Sequence, residues 1–106
     1  RVLFRSAYEK LIANHPNTYV YYTKMAAYLA KQKEYAKALP YAEKATQFEP
    51  EVLIFNLKDL AEIHKNLQQK KEALDAVNKA LSLPEAKLEQ NKNTVSKLEE
   101  LKKSLQ

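Results

Sequence analysis

Two histidines, His15 and His64, are the side chains of this 106-residue chain best suited to proton transfer or metal ligation. Neither has the partners that chemistry needs. His15 sits in a turn ahead of Pro16 and reads as a solvent-exposed loop residue. His64 falls on an apolar helical stripe, where a hydrogen-bonded packing role is expected. Asp59 and Glu62 lie close to it in sequence, but helical spacing turns them onto other faces. The acid pair Glu99-Glu100 reads as ordinary solvated charge. The chain has no Cys, which excludes a thiolate nucleophile, a disulfide framework and a cysteine zinc site. It has no Gly, so the phosphate-cradling loops that need a backbone without Cβ are excluded too. No catalytic constellation, metal site or cofactor is expected.

The 18 Lys and Arg against 13 Asp and Glu, a net charge of +5, raise the question of nucleic acid. The lysines are interleaved with acids, as in Glu34 with Lys37 or Glu99 with Lys102 and Lys103. That pattern suits pairing along solvated helices rather than a cationic stripe. Tyr19, Tyr21 and Tyr22 could stack on bases, but their spacing fits packing with one groove contact. No nucleic-acid partner is expected. No apolar run approaches the ~18 residues of a membrane span, so no membrane partner is expected either. The absence of Cys fits cytoplasm and periplasm alike.

The elements that position these side chains are helical. Ala, Leu, Lys, Glu and Gln dominate, all strong helix formers, and apolar residues recur at spacings of three and four. Tyr22, Met25, Ala26 and Leu29 form one stripe, and Ala38, Leu39, Ala42 and Ala45 a second. Leu57, Leu60, Ala61 and His64 form a third, and Ala73, Leu74, Val77, Ala80 and Leu81 a fourth. Leu88, Val95, Leu98, Leu101 and Leu105 form the last. Polar or proline-bearing gaps separate them, among them Asn14-His15-Pro16-Asn17, with Thr18 as a candidate N-cap, and Glu49-Pro50-Glu51. Helices are predicted near 4–14, 18–31, 34–48, 52–66, 70–82 and 86–105. Pro40 falls inside the third. It should kink that helix rather than break it, because the stripe continues in phase.

Self-comparison at an offset of 35 aligns Ala26 with Ala61, Ala38 with Ala73, Leu39 with Leu74 and Ala45 with Ala80. Tyr22 meets Leu57, and Met25 meets Leu60. The matching positions are the small and large apolar ones that close helix packing constrains. This resembles the tetratricopeptide repeat, a unit of ~34 residues of helix–turn–helix. The resemblance implies an all-α fold of antiparallel helix-turn-helix repeats, stacked as a short right-handed α-solenoid. It assigns 7–17 to the remnant of a preceding repeat helix, 18–50 to one unit, 51–85 to a second and 86–106 to a C-terminal capping helix. Gly is frequent in the family at the turn between helices. Lys33 and Gln68 stand there instead, which argues against a left-handed turn. Ala42 and Val77 stand where a large aromatic is usual, so packing there should be thin.

The resemblance also implies a function. Stacked repeats present a concave surface lined by first helices. Counting from the inward stripe places Val20, Thr23, Ala27 and Lys31 there in the first unit, and Phe55, Lys58, Glu62, Lys65 and Asn66 in the second. The expected role is a non-catalytic protein–protein interaction module that binds a peptide or partner segment of acidic character. The family's carboxylate clamp for chaperone tails needs Asn and basic residues where Thr23, Ala27 and Glu62 stand, so a chaperone-tail adaptor is not expected. Phe55 is the candidate anchor, because Leu57 and Leu60 already serve packing. The competing possibility for Phe55 is a gap-filling role near Phe48. The competing function is a helical accessory region at the C-terminal end of a larger enzyme, such as a secreted thioredoxin-like protein or hydrolase.

The chain starts at Arg1 in the middle of a repeat and is read as a fragment, monomeric as such. Arg1-Val2-Leu3-Phe4-Arg5-Ser6 resembles the translation of a sequencing-adapter end, so 1–6 is read as a non-native scar. Repeat register agrees, since it puts Phe4 where Ala38 and Ala73 stand and would overpack that crossing. The alternative is an authentic helix with Phe4 exposed at an unpaired edge. Without Arg1 and Arg5 the net charge falls by two, from +5 to +3.

Overall fold

The periodic stripes fold into helices joined by short turns. The structure, a computed structural model, describes residues 2–48 and 50–106, without the Val2 side chain. Arg1 and Glu49, which belong to the N-terminal hexapeptide and the Glu49-Pro50-Glu51 break, lie outside the described residues. Among the described residues six α-helices follow one another: α1 (Val2–Asn14), α2 (Tyr19–Lys31), α3 (Tyr35–Ala45), α4 (Pro50–Asn66), α5 (Lys70–Leu81) and α6 (Lys92–Leu105). No strand occurs among the described residues, and no helix is long and apolar enough to cross a membrane. Helices α2 and α3 form one packed pair and α4 and α5 the next. Helix α3 packs on α4, and α6 closes the second pair against α5 and α4. The fold is an all-α solenoid of helix pairs.

Small residues set the approach within each pair. Ala38, Ala61, Ala73 and Ala80 have no exposed surface, and Ala26 and Ala45 are buried too. Two apolar clusters form around them. Met25, Leu29, Ala38 and Ile63 make the first, with Phe4, Tyr8 and Ile12 of α1 packed on it. Ile54, Leu57, Val77, Leu98 and Leu105 make the second, around Ala61 and Ala73. Leu60 packs against both. Ala42 and Val77 are buried despite their size. Ile54 and Ile63, absent from the predicted stripes, belong to the core.

Both turns between paired helices are built alike, and they correct the sequence expectation. Lys33 has φ 62° and Gln68 φ 61°, so both are left-handed. The backbone shows why. Lys33 N–H donates to Ala30 O (2.9 Å) and Glu34 N–H to Leu29 O (2.8 Å); Gln68 N–H donates to Lys65 O and Gln69 N–H to His64 O, both at 2.9 Å. These are the paired bonds that close a helix through a left-handed residue. They satisfy carbonyls that would otherwise be orphaned, which offsets the ~1–2 kcal/mol a Cβ costs there.

Two boundaries differ from prediction by more than two residues, and one cap lacks its side-chain bond. Thr18 stands at the N-cap of α2, but its side chain makes no capping bond. Helix α3 passes through Pro40 unbroken and stops at Ala45 rather than 48. There Thr46 N–H and Gln47 N–H bond three residues back, and Thr46 Oγ1 donates to Glu43 O at 2.7 Å. The last helix does not begin at 86. Two 3₁₀ turns, Pro84–Lys87 and Glu89–Asn91, precede α6, with Leu88 extended between them. The buried Asn91 side chain donates to Glu85 O at 2.8 Å and holds this arrangement against a continuous helix. Leu88, placed in the apolar stripe by its spacing, is 46% exposed.

At the N-terminus, Phe4 is neither jammed into an alanine crossing nor left bare. Its ring stacks on Tyr8 (4.5 Å) and Tyr28 (4.3 Å). Leu3 is the exposed residue, at 83%.

Two outcomes follow for stability. Ala61→Leu should cost ~1–3 kcal/mol through overpacking, read as a lower midpoint in denaturant melts. Lys33→Gly and Gln68→Gly should each raise stability by ~0.5–1 kcal/mol by removing the left-handed penalty, net of glycine's entropy cost. A loss of stability in both glycine variants would contradict the turn geometry.

Candidate groove between the first helices

Helices α2 and α4 lie side by side because α3 fills the wedge behind them. Polar bonds fix that spacing. The buried Asn56 donates through Nδ2 to Ala45 O at the end of α3 (3.2 Å). Its Oδ1 accepts from Thr23 Oγ1 of α2 at 3.0 Å. One amide thus ties three helices together, and Thr23 is spent on structure rather than presented to a ligand. Tyr22 adds a second tie, its hydroxyl donating to Pro16 O at 2.7 Å while its ring stacks on Phe48.

Between α2 and α4 runs a groove with two adjoining cavities. The narrower, about 110 Å³, has Ala26, Ala27 and Ala30 on one wall and Asp59, Glu62 and Ile63 on the other, with Tyr35 and Asn66 completing it. The wider, about 460 Å³, shares Ala27, Ala30, Tyr35, Glu62 and Asn66 and adds Lys31, Lys65 and Leu101 of α6. Of the residues that face-counting placed on the concave surface, Ala27, Lys31, Glu62, Lys65 and Asn66 come together here. Lys58 is largely covered, with 19% of its side chain exposed, and its Nζ lies 3.4 Å from Glu62 Oε1. Asn66 Nδ2 donates to Glu62 O at 2.8 Å. Val20 and Phe55 line neither cavity. Val20 is half-buried, and Phe55 is 40% exposed while Phe48 stacks on Tyr22.

Ala26, Ala30, Tyr35, Asp59, Ile63 and Leu101 are the cavity-lining residues that face-counting did not place there. Leu101 gave no signal, because it belongs to α6 and only first helices were expected to line the groove. Asp59 gave one: it stands three residues before Glu62, hence on nearly the same face. Its surroundings are unusual for an acid. Its carboxyl makes no hydrogen bond or ion pair with any described residue. Burial pushes its carboxyl up to about 6, with Lys58 opposing and Glu62 reinforcing the shift.

The histidines stand apart from the groove. His15 is exposed, its ring 6.0 Å from that of Tyr21. His64 is buried at the end of α4, and its Nδ1–H donates to Gln69 Oε1 at 2.7 Å. Among the described residues no three His, Cys, Asp or Glu side chains gather as a metal site would require.

No protein-family model matches the chain, and no curated protein is similar to it in sequence. A solved structure is similar: the N-terminal domain of stress-induced protein-1 (STI-1) from C. elegans, with a TM-score of 0.73. The alignment covers 92% of this chain and 77% of that one, at 19% identity. At that identity the likeness speaks to fold, which is a tetratricopeptide-like helical repeat.

The Asp59 environment has a measurable consequence. A carboxyl raised in the folded state binds its proton more tightly there than in the unfolded chain. Stability therefore falls as pH rises from about 4 to about 6, and the cost is fully present above 6. Discounted for partial exposure, it comes to ~1–2 kcal/mol. Asp59→Asn should be more stable than the parent chain by that amount at pH 7.5, and the gap should close near pH 4. Urea melts of both proteins at both pH values would measure it; a gap independent of pH would contradict the assignment.

Proposed function

We propose that this chain is a non-catalytic protein-interaction module that holds a segment of a partner protein in the groove between α2 and α4. The observation that carries the reading is the groove itself. Two first helices are held at a fixed spacing by the bonds of Asn56, and polar ends are gathered over alanine walls. Lys31 and Lys65, both exposed at the wider cavity, suit acidic residues of the segment. Phe55, exposed on α4 several turns away from them, is a candidate anchor at the other end. Two repeat units give a short groove, so few side chains of the partner would be held and affinity for a short peptide would be modest.

Selection from a displayed peptide library against the 106-residue chain tests this. Selected peptides should bind at least tenfold more weakly to Lys31→Glu/Lys65→Glu and to Phe55→Ala. Phe55→Ala should keep its free energy of unfolding to within about 1 kcal/mol, as expected for a ring that is 40% exposed. Peptides that bind all variants alike would overturn the reading.

A further inference from the structure

We propose that the narrower cavity between α2 and α4 receives the cationic end of one lysine or arginine side chain from the bound segment. This rests on the groove reading above and adds what one position of the segment must be. Three observations carry it. The cavity, about 110 Å³, suits the end of one side chain; a cavity of about 150 Å³ takes a benzene. Its walls are mixed in the way a long cationic side chain is: methyl groups of Ala26, Ala27, Ala30 and Ile63 for the aliphatic stem, and a carboxyl for the head. Of the two carboxyls on these walls, Glu62 already pairs with Lys58, and the Asp59 carboxyl has neither a hydrogen bond nor an ion pair with any described residue.

Alternatives fit these walls less well. An acidic or neutral apolar side chain would cover Asp59 and leave a carboxylate buried without a partner, which is strongly unfavourable. The charge of Lys58 favours the ionised form but offers it no ion pair, since the ammonium lies 3.4 Å from Glu62. Tyr35 lines the same cavity and offers a π surface that favours a cation over a neutral group. The two cavities then divide the labour: Lys31 and Lys65 take an acidic residue, and Asp59 takes a basic one beside it. A segment of alternating charge fits both, whereas a uniformly acidic one fits only the first.

The test uses the whole chain and small probes. Methyl resonances of Ala26, Ala27, Ala30 and Ile63 are followed by NMR at pH 7.5 while n-butylguanidinium chloride is added. n-Pentanol is the uncharged comparison, and sodium chloride matches the ionic strength. The expected result is a saturable shift of these methyls with n-butylguanidinium, at least fivefold tighter than with n-pentanol and lost in Asp59→Asn. Equal response to the two probes, or an unchanged response in Asp59→Asn, overturns the proposal. The peptides selected above separate it from the groove reading. Peptides that depend on Lys31 and Lys65 but bind Asp59→Asn as well as the parent chain would leave the groove standing and remove the cation site.

Discussion

The approach of paired helices through alanine is the constraint on which the rest of this structure depends. Ala38, Ala61, Ala73 and Ala80 have no exposed surface, and a larger side chain at any of them would push a helix off its partner. Because α3 sits close behind α2, it can also reach α4 and meet it along its length. The separation of α2 and α4, and so the width of the groove, is inherited from contacts on the opposite side of those helices. Asn56 then locks that separation with bonds to Ala45 and Thr23. A buried amide of this kind has both ends satisfied and adds register rather than bulk.

Much of this was legible because packing leaves a periodic trace. The offset of 35 aligned alanine with alanine, and those positions are the buried ones. What the pattern could not show were features decided by backbone bonding. Lys33 and Gln68 carry no sequence signal for a left-handed turn, yet both adopt it, at equivalent places in the two units. There the packed pairs on either side fix the chain path, and tertiary context outweighs a local preference of ~1–2 kcal/mol. The start of α6 was misplaced for a similar reason. Residues 86–91 have helix-forming composition, but the Asn91 amide binds Glu85 O and Leu88 takes an extended conformation.

The groove was legible in part. Counting helical faces is sound for residues whose neighbours are all on the same helix, and Ala27, Lys31, Glu62, Lys65 and Asn66 do meet. It fails where a second element intervenes. Thr23 points the counted way and is captured by Asn56, while Tyr35 and Leu101 enter the groove from helices that were not counted. Asp59 was weighed only as a neighbour of His64. Its position relative to α2, invisible from α4 alone, is what makes it unusual.

Helix α6 has a double part in this architecture. Leu98 and Leu105 are buried against the second pair and cover its apolar flank. Leu101, on the same helix and only half-buried, reaches the wider cavity beside Lys65. The spacing 98, 101, 105 thus serves two surfaces with one helical stripe. Helix α6 both packs on the second pair and bounds the groove, so a substitution made to weaken that packing would change the groove wall as well. The coupling runs in the other direction too: the part of the groove wall that Leu101 forms is held in place by the burial of Leu98 and Leu105 in the core.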